Sequence, residues 1–410
     1  MKKILLFGLC VLGMQAAKAQ NTNRVITTGV PFLLIAADAR AGGLGDQGVA
    51  TSSDVFSQQW NPAKYAFSLR GQGVSASYTP YLTSIANDIS LGQVTYFNKI
   101  SDRSAFGGSL RYFSLGDVEL RQTDSPDEQV ITRSPNELAV DLSYSLKLDE
   151  RFSMAIAGRF ISSNLKIAEA VAGSSADANA AISYAFDIAG FYQSEEVAYD
   201  DFDGRWRAGF NLQNLGPKIS YDDDPNLSSN FLPANMRLGG GFDFIFDEYN
   251  TISVNAEVTK LLVPTPYSVV SSVDLNDDNV YDQPGEISPD QASEQNSVNR
   301  QKYNDINWVS GIFKSFGDAP DGLKEELKEV TYSLGAEYTY NQAFAFRLGY
   351  FNENQLKGAR KFFSMGAGFK YSAVNIDVSY LFSASKVRNP LENTLRFSLT
   401  FNFGDEYDEY

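Results

Sequence analysis

A two-residue alternation of apolar and polar side chains recurs along most of the chain and limits its folds more than any other feature. In 393–404, which reads NTLRFSLTFNFG, leucine or phenylalanine stands at every second position and polar residues fill the gaps. Successive side chains of a β-strand point to opposite faces, so this stretch has one apolar and one polar face. It suits a strand of a soluble β-sandwich, or the wall of a transmembrane barrel with its polar face in the lumen.

The same alternation defines fourteen segments. They are 71–80, 87–99, 103–115, 136–148, 151–165, 178–192, 204–214, 234–246, 250–262, 329–340, 343–353, 361–372, 374–384 and 391–403. A fifteenth candidate is 305–316, but Trp308, Ile312 and Phe316 stand four residues apart there. That spacing predicts a helix.

The connections between these segments alternate in length. Those after segments 2, 4, 8, 10 and 12 are tight turns, those after segments 1, 11 and 13 are intermediate, and those after segments 3, 5, 7 and 9 are long. Only 193–203, after segment 6, breaks the pattern. Outer-membrane barrels combine an even strand number with short periplasmic turns and long exterior loops. The sequence therefore predicts an all-β fold, a 14-stranded antiparallel transmembrane β-barrel over 71–404, with 263–328 as its longest extracellular loop.

Charged residues fall on the polar faces of the segments. They are Arg111, Lys147, Arg159, Arg205, Arg207, Arg237, Arg347, Lys370, Arg396, Asp141, Asp187, Asp243, Glu257, Glu337 and Asp377. An Arg or Lys facing lipid at mid-membrane costs about 2–4 kcal/mol, so this placement indicates lumen-facing charges. Their mixed sign predicts a filled interior rather than an ion-selective pore.

The two ends of the chain differ from the barrel segments. Residues 1–19 have Lys2 and Lys3, an apolar core and a final Ala17-Lys18-Ala19, the pattern of a signal peptide. Residues 20–70 are rich in Ala and Gly and lack the alternation, so we expect short helical turns and loops that form a plug inside the barrel. Residues 405–410 are predicted to be an acidic periplasmic tail.

Composition excludes several classes of function. The chain has no His and a net charge of -16, which argues against histidine-based catalysis, most zinc sites and nucleic-acid binding. No Gly-x-Ser-x-Gly motif occurs either. We therefore expect no enzymatic activity, and outer-membrane lipid rather than nucleic acid around the chain.

Three N-terminal motifs carry a resemblance to known proteins. They are ARAGGLG at 39–45, SSDVF at 52–56 and WNPA at 60–63. They resemble the plug region of FadL-type fourteen-stranded outer-membrane proteins and are most similar to the PorV family of the type IX secretion system of Bacteroidota. Segments 79–89 and 326–341 are also similar to that family's pattern.

The resemblance implies a function and a set of partners. PorV-like proteins bind the C-terminal signal domain of secreted cargo, associate with the SprA-type translocon barrel, and escort cargo to a PorU-type sortase complex at the surface. The alternative is a FadL-like channel for hydrophobic small molecules. The resemblance also assigns a structural plug motif, made of Asp38, Arg40, Gly42, Gly43, Gly45, Asp54, Asn61, Pro62 and Ala63.

The longest predicted loop contains a candidate calcium site. Asp274, Asn276, Asp278 and Asp282 place oxygen donors at positions 1, 3, 5 and 9 of a calcium-loop spacing. The twelfth position is Gly285, with Glu286 one residue later, so the pattern departs from the motif. A solvated acidic turn explains the same residues. No cofactor other than this calcium ion is expected.

Two further stretches leave alternatives open. Gly239-Gly240-Gly241 lies within segment 8 and marks either a strand distortion that opens a lateral exit or close packing against the plug. Residues 321–330 form a predicted amphipathic helix that packs on the rim or contacts a partner.

Overall fold

The alternating segments form one closed barrel. The computed structural model describes residues 25–82, 88–120, 131–165, 180–221, 229–276, 280–281, 283–384 and 393–406. The barrel strands are β1 Arg70–Pro80, β2 Ile89–Ser101, β3 Ser104–Leu115, β4 Asn136–Lys147, β5 Phe152–Asn164, β6 Ala181–Gln193, β7 Asp203–Leu215, β8 Asn235–Ile245, β9 Asn250–Leu261, β10 Val330–Tyr340, β11 Phe344–Asn352, β12 Lys361–Tyr371, β13 Val374–Ser383 and β14 Leu395–Glu406.

Every barrel strand pairs antiparallel with the next one along the chain, and β14 pairs with β1. In that last ladder Phe397 lies opposite Tyr78 and Phe401 lies opposite Val74. Closure leaves no open strand edge in lipid, where unpaired backbone groups would be costly. The prediction of a 14-stranded antiparallel barrel is confirmed. The largest boundary difference is in β14, which begins at Leu395 rather than at 391 and continues to Glu406.

The two faces of each strand divide as the alternation predicts. In β14 the outward Phe397 and Leu399 are exposed, whereas the inward Arg396 and Thr400 are buried. Six of the nine inward-facing cations and all six carboxylates predicted on the polar faces are buried; the exceptions, Lys147, Arg205 and Lys370, are partly buried. The barrel interior is thus lined by polar side chains and closed to bulk water over most of its length.

Short turns lie at one end of the barrel and long connections at the other. The exception predicted after the sixth strand is present: within 194–202, Val197–Ala198 pairs with the start of β7. At the long-loop end, Val118–Leu120 pairs with Ile131–Arg133, and Ile219–Ser220 pairs with Ser229–Asn230.

The part of the chain before β1 consists of short helical pieces. The described residues 25–69, called the N-terminal segment below, contain a 3-10 helix Pro31–Leu34, helix α1 Ala39–Gly43, helix α2 Ser57–Trp60 and a 3-10 helix Pro62–Phe67. Short turns without strand pairing agree with the prediction for 20–70, of which 20–24 lie outside the described residues.

The described residues of loop 262–329 include three helices, α3 Pro289–Asn304, α4 Trp308–Lys314 and α5 Leu323–Glu326. Helix α3 begins with a capping box between Ser288 and Gln291. The helix predicted over 305–316 is confirmed by α4, and the one predicted over 321–330 is present in the shorter form of α5, because β10 already begins at Val330.

No helix among the described residues is long and apolar enough to cross a membrane.

Candidate functional site

The N-terminal segment runs through the barrel from the long-loop end to the short-turn end. Near its start Phe32 stacks on Phe113, at the long-loop end of β3, with ring centroids 6.1 Å apart. Near its finish Tyr65 stacks on Phe97, toward the short-turn end of β2, at 4.9 Å. The segment then continues directly into β1. Burial of these rings against the inner wall anchors both ends of the segment.

Helix α1 is held in the lumen by a buried carboxylate at its N-terminus. Asp38 accepts hydrogen bonds from the Ala41 backbone N–H at 2.7 Å and from the Trp60 indole N–H at 2.8 Å. Burial, reinforced by the charge of Asp54, raises the pKa of Asp38 to about 6. This side chain therefore caps α1 and connects it to α2 at the same time.

Arg40 connects the same helix to the barrel wall. Its guanidinium donates two hydrogen bonds to Glu337, at 3.2 and 2.8 Å, and one to Asp54 at 2.6 Å. Glu337 also accepts from Arg347, which reaches Asp377 on β13. Burial raises the pKa of Asp54, but the charges of the nearby lysine at position 64 and of Arg40 outweigh it, so the pKa is lowered overall. The result is a chain of alternating charges from the N-terminal segment to strands β10, β11 and β13.

The glycines of the predicted motif allow α1 to lie directly against strand backbone. A Cβ on Gly43 would lie 3.0 Å from the Gly366 Cα. Gly45 has φ +81°, which L side chains rarely adopt. A Cβ on Gly349 of β11 would lie 2.1 Å from the Gly45 nitrogen. Gly42 lies in the same helix. At Gly45 and Gly349 a side chain therefore fits only if α1 or β11 shifts.

Asn61, Pro62 and Ala63 form the turn that leads into the second 3-10 helix. The Asn61 side-chain oxygen accepts from the Ala63 backbone N–H at 3.1 Å, and its amide donates to the Val49 and Gly190 carbonyls at 2.9 and 3.0 Å. Pro62 occupies the first position of the helix, where no N–H is needed. This asparagine therefore joins two parts of the N-terminal segment to β6.

Two contacts of the segment were not singled out from the sequence. Glu257 of β9 accepts from the backbone N–H groups of Gly48 and Val49, each at 2.9 Å. Asp46 pairs with Arg396 of β14. The alternation placed Glu257 and Arg396 on the lumen face, but residue spacing contains no signal for their partners more than two hundred positions away.

Lys64 is fully buried beside this turn. Its ammonium donates to the Gly48 carbonyl and to the Thr51 hydroxyl, both at 2.9 Å. Burial lowers the pKa of Lys64 to about 8.

The lumen charges on the other side of the barrel also pair with one another. Arg159 contacts Asp141 and Asp187, and Arg207 contacts Asp243 at 2.6 Å. With cations and carboxylates neutralised in pairs, the described interior has no ring of one sign that would select ions.

The Gly239-Gly240-Gly241 run packs against the N-terminal segment. A Cβ on Gly239 would lie 2.5 Å from the Val49 side chain, and one on Gly241 would lie 3.1 Å from the Ala50 carbonyl. The ladders of β8 with β7 and β9 continue through all three residues without a register shift. Of the two alternatives for this run, close packing against the N-terminal segment is therefore the one observed. The described strand contains no distortion that opens a lateral exit.

Only part of the calcium candidate lies within the described residues. Asp278 and Asp282 lie outside the described residues, whereas Asp274 accepts from the Asn276 backbone N–H at 3.3 Å. Glu286 accepts from the Leu275 and Gln283 backbone N–H groups. Within the described part of the chain, no cluster of three or more His, Cys, Asp or Glu residues could hold a metal ion. The calcium site stays a prediction.

Helix α4 forms an apolar surface outside the barrel. Trp308 and Ile312 pack against the barrel-side cluster around Leu215 and Leu262, and Trp308 contacts the outward Phe186 ring of β6. Several apolar side chains between positions 309 and 327 are exposed. These are Val309, Phe313, Phe316, Leu323 and Leu327, which we call the exterior apolar face. Phe313 is 74% exposed.

A buried group of charges fixes the base of this loop to the rim. Glu329 accepts from Lys260 at 2.8 Å, from Lys357 at 2.9 Å and from Thr265 at 2.9 Å. Burial raises the pKa of Glu329, but these hydrogen bonds outweigh it and lower the pKa overall. The exterior apolar face is thus presented from a fixed base rather than from a free loop.

Solved structures that match the chain include toluene transporters and a FadL homologue. The toluene transporter TbuX of Ralstonia pickettii is 12% identical, with 92% of this chain and 100% of that chain covered and a TM-score of 0.46. The Pseudomonas putida toluene transporter TodX is 14% identical, with coverage of 92% and 97% and a TM-score of 0.46. A Pseudomonas aeruginosa FadL homologue is 14% identical, with coverage of 90% and 99% and a TM-score of 0.43. No curated protein sequence matches.

A family model gives the assignment. The model described as type IX secretion system protein PorV matches residues 17–268, which is more than half of the chain. The match includes the N-terminal motifs and the first nine strands. The chain belongs to the PorV family and is an outer-membrane β-barrel protein of the type IX secretion system.

Proposed function

We propose that this barrel binds the C-terminal signal domain of secreted cargo, associates with a SprA-type translocon barrel, and escorts cargo to a PorU-type sortase complex. The observation that carries the proposal is the exterior apolar face. Large apolar side chains exposed outside the membrane-spanning strands often mark protein-binding sites. Because this surface lies beside the barrel wall, it suits contact with a neighbouring barrel in the same membrane.

The interior supports binding rather than conduction. The N-terminal segment is tied to the wall by Arg40, Asn61 and buried glycine contacts. Opening a path would break several buried charge pairs at once, each of them costly. We infer that the segment acts as a plug, and that the chain has no enzymatic activity.

A FadL-like channel for hydrophobic small molecules is the second candidate. A cavity of about 510 Å³ at the long-loop end is lined by apolar side chains that include Phe32, Ile35 and Phe113. Its lining also contains charged groups such as Arg237 and Glu353, which an apolar ligand would have to desolvate. Ligand entry into this cavity can be tested. Its charged lining nevertheless favours the protein-binding proposal over conduction of hydrophobic molecules.

Co-purification tests the proposal directly. Wild-type protein, Phe313→Glu and Ser293→Glu are compared, since position 293 is an exposed polar site on α3 of the same loop. We expect the wild type and Ser293→Glu to recover the translocon barrel and cargo C-terminal domains, and Phe313→Glu to recover several-fold less. Fatty-acid uptake without any protein partner would support the channel instead.

A further inference from the structure

The exterior apolar face carries positive charge as well as apolar side chains. A lysine directly follows three of its five residues, in the pairs Phe313-Lys314, Leu323-Lys324 and Leu327-Lys328. The first two lysines are exposed and the third is half-buried. Within the described part of the chain, no carboxylate forms an ion pair with any of the three. Their charge is therefore available to a partner.

Most carboxylates of the same stretch contact the barrel rim instead. Glu325 pairs with Lys357 at 2.8 Å, and Glu326 pairs with Lys260 at 3.0 Å. Glu329 contacts both of these rim lysines, at 2.9 and 2.8 Å. All three glutamates are buried. The structure thus separates the charges of 313–329, with glutamates buried at the rim and lysines at the surface.

The remainder of the loop has the opposite charge. Residues 263–307 contain eight carboxylates and two cations, in a chain of net charge -16. Within 313–329 the carboxylates that are not buried are Asp318, which is half-buried, and Asp321, which is exposed. The lysines are therefore a local exception in an acidic loop. An acidic partner is repelled by most of this loop and attracted here, which restricts the side from which it can approach.

The buried charge group at the rim also favours a protein partner over lipid. It fixes the base of the lysine-bearing stretch, so binding a folded surface costs less ordering of the loop. Fluid lipid adapts to any shape and gains little from such a fixed arrangement. Phe313 and Phe316 add exposed aromatic side chains, and aromatic residues are enriched among the side chains that contribute most to protein–protein binding.

We propose that the exterior apolar face, together with Lys314, Lys324 and Lys328, docks an acidic surface of the neighbouring protein, in which Asp or Glu carboxylates accompany apolar residues. The inference rests on the proposed function and adds the charge that the partner must present. The three ammonium groups pair with the partner's carboxylates while the apolar side chains are buried between the two proteins. Exposed pairs of this kind are screened by salt.

Co-purification of the translocon barrel at about 50 mM and about 300 mM NaCl tests the proposal, since screening increases over this range. The test variant combines Lys314→Glu with Lys324→Glu, and a conservative variant has arginine at both positions. The control combines Arg300→Glu with Lys302→Glu. These two residues are exposed on α3 of the same loop, outside the exterior apolar face, and the change in net charge is the same.

We expect the wild type, the arginine variant and the control to recover the translocon barrel at low salt and several-fold less of it at high salt. The test variant should recover several-fold less at low salt, with no further fall at high salt. Equal recovery by the wild type and the test variant at low salt would overturn this inference and leave the proposed function standing. No recovery by the wild type at either salt concentration would overturn both.

Two further measurements cover the remaining outcomes. The wild-type complex is transferred to nanodiscs of phosphatidylcholine, which has no net charge. Loss of the partner there would mean that the lysines act through anionic lipid, and would overturn the inference. Should the test variant fail to give the heat-modifiable barrel, the wild type decides alone, because recovery that is independent of salt would contradict pairing with an acidic surface.

Discussion

The guanidinium of Arg40 and the carboxylate of Glu337 form two hydrogen bonds, at 3.2 and 2.8 Å, across 297 positions of sequence. The pair attaches helix α1 to strand β10 in the barrel interior, where side-chain exposure is 11% and 8%. Because Glu337 also binds Arg347, it joins the N-terminal segment to the wall and two strands of the wall to each other.

The first prediction concerns this pair. Arg40→Ala leaves Glu337 and Asp54 buried with one cation fewer, and removing one partner of a buried ion pair costs about 3–5 kcal/mol. We expect the free energy of unfolding in urea to fall by about that amount. Unfolding is followed by the heat-modifiable band shift in detergent. The control is Arg151→Ala, which breaks the exposed pair with Glu195; it should leave the midpoint unchanged. Equal midpoints for the two variants would contradict a structural role for Arg40.

The second prediction uses glycine contacts. Gly349→Ala places a methyl group 2.1 Å from the Gly45 nitrogen, so α1 or β11 must shift. Overpacking of this kind costs about 1–3 kcal/mol. Gly158→Ala is the matched control, because nothing lies within 4 Å of its Cβ position on β5. We expect only Gly349→Ala to lower stability and to expose the N-terminal segment to protease. The same protease pattern for both variants would disprove the close contact.

The third prediction is a pH dependence at Asp38. Its pKa is raised from 3.8 to about 6, so between those values the folded state holds a proton that the unfolded state has lost. Stability from this group is complete below pH 3.8 and is lost as the pH rises through about 6. The loss is about 3 kcal/mol, since one pKa unit corresponds to about 1.4 kcal/mol.

Asp38→Asn removes this titration and keeps the N-cap oxygen. The stability of the wild type relative to Asp38→Asn, from urea midpoints between pH 4 and pH 8, should therefore decline as the pH rises. A difference that stays constant over that range would show that Asp38 is not buried as described.

The fourth prediction concerns the rim. Glu329→Gln leaves Lys260 and Lys357 without a shared carboxylate, and hydrogen bonds to charged groups contribute about 1.5–3 kcal/mol each. We expect loop 262–329 to be cut several-fold faster by trypsin, whereas Glu294→Gln on the exposed side of α3 should have no effect. The lowered pKa of Glu329 means that its stabilisation is present above its usual pKa of 4.5 and is lost as the pH falls through the folded value. Tryptic rates unchanged by Glu329→Gln would exclude this attachment.

The barrel could be predicted because the alternation is a local signal. A strand at a lipid boundary requires apolar side chains at every second position, so Phe397 and Leu399 mark the outer face without knowledge of any partner. The alternation of short and long connections gave a second, independent signal for an even number of strands and for which end of the barrel carries the long loops. The helix at Trp308 was recognisable for the same reason, since its apolar residues repeat every fourth position.

The contacts inside the lumen could not be predicted in the same way. The sequence shows that Arg40 lies in a region of small residues. Which inward carboxylate it pairs with depends on the path of the N-terminal segment, so Glu337 could not be singled out as its partner. For the exterior apolar face, the sequence raised contact with a partner only for its 321–330 part. The spacing of Phe313 and Phe316 predicts a helix but does not say which side packs on the barrel.

The last prediction concerns closure of the barrel. Leu399 lies between Ile376 of β13 and Ala76 of β1, so its backbone belongs to ladders on both sides. Proline has no N–H and cannot contribute to the ladder of a central strand. Since β14 pairs with the first strand, Leu399→Pro should prevent closure and abolish the heat-modifiable band. Leu399→Ala keeps the N–H and loses only a lipid-facing side chain, so it should assemble. Normal assembly of the proline variant would mean that β14 does not close the ring.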